Sequence, residues 1–394
     1  MSSTLGDFLL DSRPGFACGE TDDTGIFQFR MHNVTKASDI SLETRRRIPR
    51  DSHRNLNQFM VTPGDVLFNA TNSPENTGKS ILIPDLDEPA VYSNHFVRLR
   101  TNPQELQPEY LWRFLQWHYQ SGTFQGMIRA WVNQASVSRA DLLALPLDPP
   151  PLHSQRRIAS ILDEAAAIRT KRRAQLAHLD ELPQALFRET FAGRADRIAL
   201  MSEVALSIDN GVSPVAETRS AAPGEWGVLK LSAVSYGEFR WRENKAFLGD
   251  SAILERHEVK RGDVLMTRKN TPELVGSVAL VRDTPAQIAI PDLIFRIKFN
   301  DDLLDGTYAQ ALLMSPTVRR RVRNLAGGSA ASMSNISKAR LSTLQIPIPP
   351  LNAQKSYAEQ VEVIHAERDR VARALKADEE LFAALQYRAF RGEL

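Results

Sequence analysis

The chain has 394 residues with a formal net charge of +2, 42% hydrophobic and 24% charged residues, which is ordinary for a globular protein with room for two domains. Its single cysteine, Cys18, excludes a disulfide framework, and neither a CxxC nor an HExxH pattern for zinc occurs. No apolar run approaches the length of a membrane span, and the start Met1-Ser2-Ser3-Thr4-Leu5-Gly6-Asp7 lacks a basic region followed by an apolar stretch, so the expected location is the cytoplasm, without membrane contact.

In chain order, the first 100 residues are short apolar runs punctuated by Gly, Pro, Asn and Asp: Val61 to Phe68, Ser80 to Pro84 and Phe96 to Arg100 have strand length and turn chemistry between them. Pro108 to Gln120 reads as a helix, with Pro108 suited to an early helical position. After Pro149-Pro150-Pro151, Ile158, Ile161, Ala165, Ile168, Leu176, Leu179, Leu182 and Leu186 recur at spacings of three and four. That is one face of a helix reaching Phe191, with Pro183 as a place where it can kink. Strand-length runs then return at Val228 to Leu231, Asp263 to Thr267, Ser277 to Val281 and Leu293 to Phe299, followed by a helical piece, Leu303 to Met314. After Pro349-Pro350 a second stripe, Tyr357, Val361, Ile364, Val371, Leu375, Phe382 and Leu385, predicts another long helix. Each long helix should have about 35 residues and a length of roughly 50 Å.

The second half repeats the first. Leu142, Leu145, Leu147, Pro150, Pro151, Leu152 and Gln155 return as Leu341, Leu344, Ile346, Pro349, Pro350, Leu351 and Gln354, an offset of 199 residues (351 minus 152). The predicted fold is therefore α+β: two tandem globules and two long helices paired antiparallel as a coiled coil, with pseudo-two-fold internal symmetry. The boundaries are residues 1–152 for the first globule, 153–193 for the central helix, 194–351 for the second globule and 352–394 for the last helix. Globules at opposite ends of a rigid spacer suit a protein that touches two separated sites on a duplex.

The repeat also tests three fragments that imitate catalytic motifs. Asp148-Pro149-Pro150-Pro151 is close to the Asp-Pro-Pro-aromatic signature of amino-group methyltransferases, but the aromatic is a proline and the partner copy, Pro347-Ile348-Pro349-Pro350, lacks the acid. Gly78-Lys79-Ser80 imitates the end of a phosphate-binding loop, yet the first glycine of such a loop is replaced by Ser73, and the partner copy, Gly276-Ser277-Val278, lacks the lysine. Pro291-Asp292 with Lys298 suggests a nuclease core, but the expected acid is Arg296, matched by Arg98 in the first copy. The chain reads as non-catalytic, with no metal site.

In each copy a Gly-Asp strand, Gly64-Asp65-Val66-Leu67-Phe68 or Gly262-Asp263-Val264-Leu265, leads into a polar loop. The polar segments Asn133-Gln134-Ala135-Ser136-Val137-Ser138 and Gly327-Gly328-Ser329-Ala330-Ala331-Ser332, the proline turns, Gln155 and Gln354, and the endings Phe191-Ala192-Gly193 and Phe390-Arg391-Gly392 follow in the same order. This ordered set, covering nearly the whole chain, resembles the specificity subunit of type I restriction-modification enzymes. The resemblance implies two target recognition domains, each reading one half of a split sequence in double-stranded DNA. It implies helices that fix the unread spacer and dock methyltransferase subunits, two of them, with restriction (motor-nuclease) subunits joining that complex. S-adenosylmethionine, ATP and magnesium would be used by those partners and none by this chain.

On this reading the DNA-binding candidates are Asn69, Thr71 and Asn72 in the first polar loop and Arg268, Lys269 and Asn270 in the second, whose side chains suit base edges and phosphates. The resemblance adds Asn133, Gln134 and Ser329. The cationic clusters add Arg45, Arg46, Arg47, Arg319, Arg320 and Arg323 as phosphate contacts. Candidates for helix pairing and partner docking are Ile158, Ile161, Ile168, Leu179, Leu186, Tyr357, Val361, Ile364, Val371 and Leu375. Two rival readings share the same residues: a recognition subunit of a fused methyltransferase-nuclease system, and a DNA-binding regulator that dimerises through its coiled coil.

Overall fold

A computed structural model describes residues 3–35, 38–131, 134–327 and 333–394, with only the backbone of Ala130 and Trp131. Asn133 and Ser329 therefore lie outside the described residues. The chain divides into two compact units, Met1–Arg172 with Ala374–Leu394, and Arg173–Arg373.

In the first unit the strands are β1 (Leu9–Pro14), β2 (Ile26–Phe29), β3 (Arg47–Ile48), β4 (Val66–Asn69), β5 (Thr71–Asn72), β6 (Ser80–Leu82), β7 (Ala90–Tyr92) and β8 (Phe96–Thr101). Helix α1 (Pro108–Gln120), β9 (Arg129–Trp131), β10 (Gln134–Ser136) and α2 (Arg139–Leu143) precede the long helix α3 (Leu152–Phe191). The main sheet runs β1-β8-β4-β6, all antiparallel, beside a sheet β3-β2-β7 in which β2 and β7 are parallel.

The second unit holds β11 (Arg197–Leu200), α4 (Met201–Val204), β12 (Ala205–Asn210), β13 (Trp226–Leu229), β14 (Asn244–Phe247), α5 (Ala252–Glu255), β15 (Val264–Thr267), β16 (Lys269–Asn270), β17 (Val278–Leu280), β18 (Ile288–Ala289) and β19 (Ile294–Phe299). Then come α6 (Gly306–Met314), α7 (Pro316–Asn324), β20 (Ser334–Asn335), α8 (Lys338–Ser342), β21 (Gln345–Ile348) and α9 (Leu351–Ala389). Its main sheet, β12-β19-β15-β17, and its second sheet, β14-β13-β18 with β13 and β18 parallel, repeat the first unit's orders. Even the irregularity recurs, between Leu9 and Asp11 on β1 and between Ala205 and Ser207 on β12.

Strands β4 and β15 are apolar without alternation because both faces are covered. Val66 and Phe68 enter a core with α1, while Leu67 enters a second core with Phe27, Ile81 and Phe96. Val264 and Met266 likewise part from Leu265. The repeated Gly-Asp pair serves the turn before each strand. Gly64 and Gly262 have φ of +89° and +91°, a region that favours glycine, and Asp65 and Asp263 accept hydrogen bonds from the amides of Thr62 (2.8 Å) and Lys260 (2.9 Å).

The long helices have 40 and 39 residues. Each is shared: residues 152–172 of α3 and the end of α9 belong to the first unit, and residues 173–191 of α3 and the start of α9 to the second. In the first unit the Arg169 guanidinium lies 4.1 Å from the Phe382 ring centre, and Arg172 pairs with Asp378. In the second, Arg368 donates to Asp180, and Tyr357 Oη donates to the Pro183 carbonyl at 3.2 Å. Rising numbers on one helix meet falling numbers on the other, which is antiparallel pairing in both units. Ile158, Tyr357, Val361 and Val371 are buried, and Ile161, Leu179, Leu186, Ile364 and Leu375 are half-buried. Ile168 corrects the predicted stripe: it is 48% exposed, and its neighbour Arg169 occupies the inward position instead. A strict three-four spacing drifts against the 3.6-residue turn, so one member of a long stripe leaves the face.

Gln155 and Gln354 carry the role that the repeat advertises. Both are at 1% exposure or less. Gln155 accepts from the amide of Gln107, the residue preceding α1, and donates to the carbonyls of Glu105 and Pro150, each at 2.8 Å. Gln354 does the same with the amide of Asp305, which caps α6, and with the carbonyls of Leu303 and Pro349. One side chain thus ties each long helix to the helix of its globule.

Candidate nucleic-acid interface

Beyond β4 and β15 the chain keeps its direction for two further residues, and these form separate small ladders. In the first unit β5 pairs antiparallel with β10, Asn72 opposite Ala135 and Thr71 opposite Ser136, and β10 pairs on its other side with β9. In the second, β16 pairs antiparallel with β20, Lys269 opposite Asn335 and Asn270 opposite Ser334. Two polar segments distant in sequence are thereby joined at equivalent places in both units. The frame beneath is shared: the amides of Ala70 and Thr71 donate to the His95 carbonyl, and those of Arg268 and Lys269 to the Leu293 carbonyl.

The side chains on this shared frame differ. Asn72 and Asn270 each accept from the amide of the following residue at 2.8 Å, which holds the loop in one conformation, and Asn270 also donates to Ser235 Oγ. Asn270 is 7% exposed and belongs to the loop's interior, whereas Thr71, Asn72 and Lys269 are half-exposed and Gln134 is exposed. Asn69 is fully buried and cannot meet a base edge from there; its partner position, Thr267, is buried too and donates to the Leu274 carbonyl. Arg268 is half-buried, its guanidinium 5.7 Å from the Phe295 ring centre.

The cationic clusters separate sharply. Arg45 reaches both Asp87 and Glu88 at 2.7 Å, Arg47 pairs with Glu88, and Arg46 donates to the carbonyls of Gly19 and Glu20. Burial opposes ionisation of Glu88, but the two guanidiniums outweigh it and hold its pKa below the usual value. Arg319 is also internal: it donates to the carbonyls of Val275 and Glu273 and to Ser277 Oγ, and burial, with Arg323 nearby, brings its pKa down to about 10. Arg320 and Arg323 are exposed on α7. Helix α7 was not anticipated from sequence, although Ser315-Pro316 and the pair Val318 and Val322 carry the start signal and an inward face.

The false motifs have structural duties. Lys79 is buried and its ammonium donates to Asn76 Oδ1 within the loop, and Asp292 accepts from Ser213. Among the described residues no group of three or more His, Cys, Asp or Glu is placed to hold a metal ion, and no helix is long and apolar enough to cross a membrane.

Residues 31–178 match the family model of the type I restriction modification DNA specificity domain. A protein of Methanocaldococcus jannaschii named as the MjaX specificity subunit of a type I restriction enzyme is 22% identical over 400 residues, covering 94% of this chain and 90% of that one. The type I restriction enzyme EcoKI specificity subunit of Escherichia coli K12 is 26% identical over 286 residues, covering 67% of this chain and 60% of that one. Among solved structures, a chain from work on complex assembly and conformational transition of the type I R-M system superimposes with a TM-score of 0.62 at 19% identity, covering 100% of this chain and 98% of that one, which is a likeness of fold. The matched domain and the relatives that align along most of the chain are those of type I restriction-modification specificity subunits, and this protein is similar to them in sequence and in fold.

Proposed function

We propose that each unit reads one half of a bipartite target in double-stranded DNA and that the paired helices set the distance between the halves. The observation that carries this reading is the pair of polar ladders: equivalent strands, registers and turns present Thr71 and Asn72 in one unit and Lys269 in the other, where Asn270 is turned into the loop. A duplicated frame with unlike side chains on it suits two half-sites of different sequence. Two methyltransferase subunits dock on the helices, one for each repeat, and restriction subunits join them. The chemistry belongs to those partners, with S-adenosylmethionine for methyl transfer and ATP with magnesium for restriction, while this chain supplies address and spacing in the cytoplasm.

Mapping methylated bases in a cell that carries this chain and its methyltransferase partner tests the proposal. A split motif with a fixed gap is expected, and exchanging residues 269–271 should change one half of it alone. A contiguous motif, or a change in both halves, would refute the assignment of one half-site to each unit.

A further inference from the structure

The two units are equal in frame but not in charge. Residues 306–358 contain seven Lys or Arg and no Asp or Glu, while the matching stretch of the first repeat, residues 108–160, sets Glu109, Asp141 and Asp148 against five arginines. The difference centres on α7, which has no helical counterpart in the first unit: the chain after α1 makes only a short 3-10 turn, Phe124–Gly126. Val318 and Val322 are at 4% and 0% exposure and fix one face of α7 in the core, and Arg319 ties it to the loop before β17. At 100° per residue, Arg320 and Arg323 fall on the arc opposite the valines and Arg321 on its flank, and all three are exposed. Among the described residues no carboxylate lies within ion-pair distance of any of them, in contrast to Arg45 and Arg47 on Glu88. Helix α7 also precedes β20 in the chain, and β20 is the strand that pairs with Lys269 and Asn270.

We infer that α7 is the main phosphate grip of the protein, so that the second unit holds the duplex backbone while the first contributes little to sequence-independent affinity. The inference rests on the proposed DNA reading and adds which unit anchors. A guanidinium already neutralised by a carboxylate releases few counterions on meeting a phosphate, whereas an unmatched one releases its full share, about 0.9 unit of salt slope per contact.

The test is the salt dependence of binding of the full-length chain, with its methyltransferase partner, to a random-sequence duplex. Replacing Arg320, Arg321 and Arg323 together by Ala should lower the slope by about 2 to 3 and weaken random and target duplexes alike, and replacing them by Lys should keep the slope. The triple change of Arg45, Arg46 and Arg47 to Ala should lower it by less than about 1. Because that variant loses internal ion pairs and could misfold, Glu88→Gln provides the complement: it frees Arg47, while Arg45 keeps Asp87, and should raise the slope. Duplex binding with an unchanged slope in the α7 alanine variant, or a larger loss from the first-unit cluster, overturns the inference and leaves the proposed function standing. An unaltered assembly that binds no duplex overturns both.

Discussion

Replacing Gln354 by Ala removes a side chain that is at 0% exposure and makes three hydrogen bonds. The Asp305 amide, half-buried at the N-terminus of α6, loses its partner at 2.9 Å, a penalty of about 1–3 kcal/mol for an unmade bond. The carbonyls of Leu303 and Pro349 lose donors at 3.1 and 2.9 Å, a net of about 1 kcal/mol each, so the second unit should lose about 3–5 kcal/mol in all. Gln354→Glu keeps an acceptor for the amide but faces two carbonyls without a donor, and should be no better than Ala. Urea titration followed by hydrogen exchange resolves the effect by unit: the Asp305 amide should exchange faster while amides of the first unit keep their protection. Gln155→Ala should give the mirror result at the Gln107 amide, because its three bonds are equivalent. A loss below about 1 kcal/mol with the Asp305 amide still protected would refute the view that this residue fastens helix to globule.

Three further outcomes are expected. Phe382→Ala, in the first unit's core at 3% exposure, should cost about 3–5 kcal/mol in denaturant titration, whereas Ile168→Ala, 48% exposed, should cost under about 0.5 kcal/mol; similar costs would contradict the observed helix face. His118 is half-buried, and desolvation lowers its pKa to about 4 from 6.5; among the described residues its Nε2 has no hydrogen-bond partner. The unfolded chain therefore binds a proton that the folded one refuses between those values, so the first unit should weaken as pH falls from 6.5 toward 4, by about 1–2 kcal/mol after allowance for partial exposure. A His118→Phe variant with the same acid slope as the parent protein in urea midpoints would exclude this group as the cause. Truncation after Leu200 removes Phe382 and Ala389 from the first unit's core, so the fragment should be a dimer by light scattering, using the second half of a partner's α3 as cover, and should recognise a symmetric target; a stable folded monomer would count against the shared-helix architecture.

Local sequence pattern alone determines much of this protein. The offset of 199 residues, the two helical stripes and the Gly-Asp strands all follow from periodicity and turn chemistry, which act within a few residues. Gln155 and Gln354 were visible as a repeat, but their bonds cross about 50 residues to the N-terminal ends of α1 and α6 and depend on where the globule sits. The same holds for the candidate interface. Asn69 and Thr71 are near neighbours in one polar loop, yet one is fully buried and the other half-exposed, because the chain leaves the main sheet between them and pairs with β10. Arg45 and Arg320 belong to similar runs of arginine, but Glu88 is brought to the first through the pairing of β2 with β3 and β7, while α7 turns the second outward. Sequence could name the cations; only the packing of strands from distant segments decided which were already neutralised, since an ion pair requires contact and contact is set by the core.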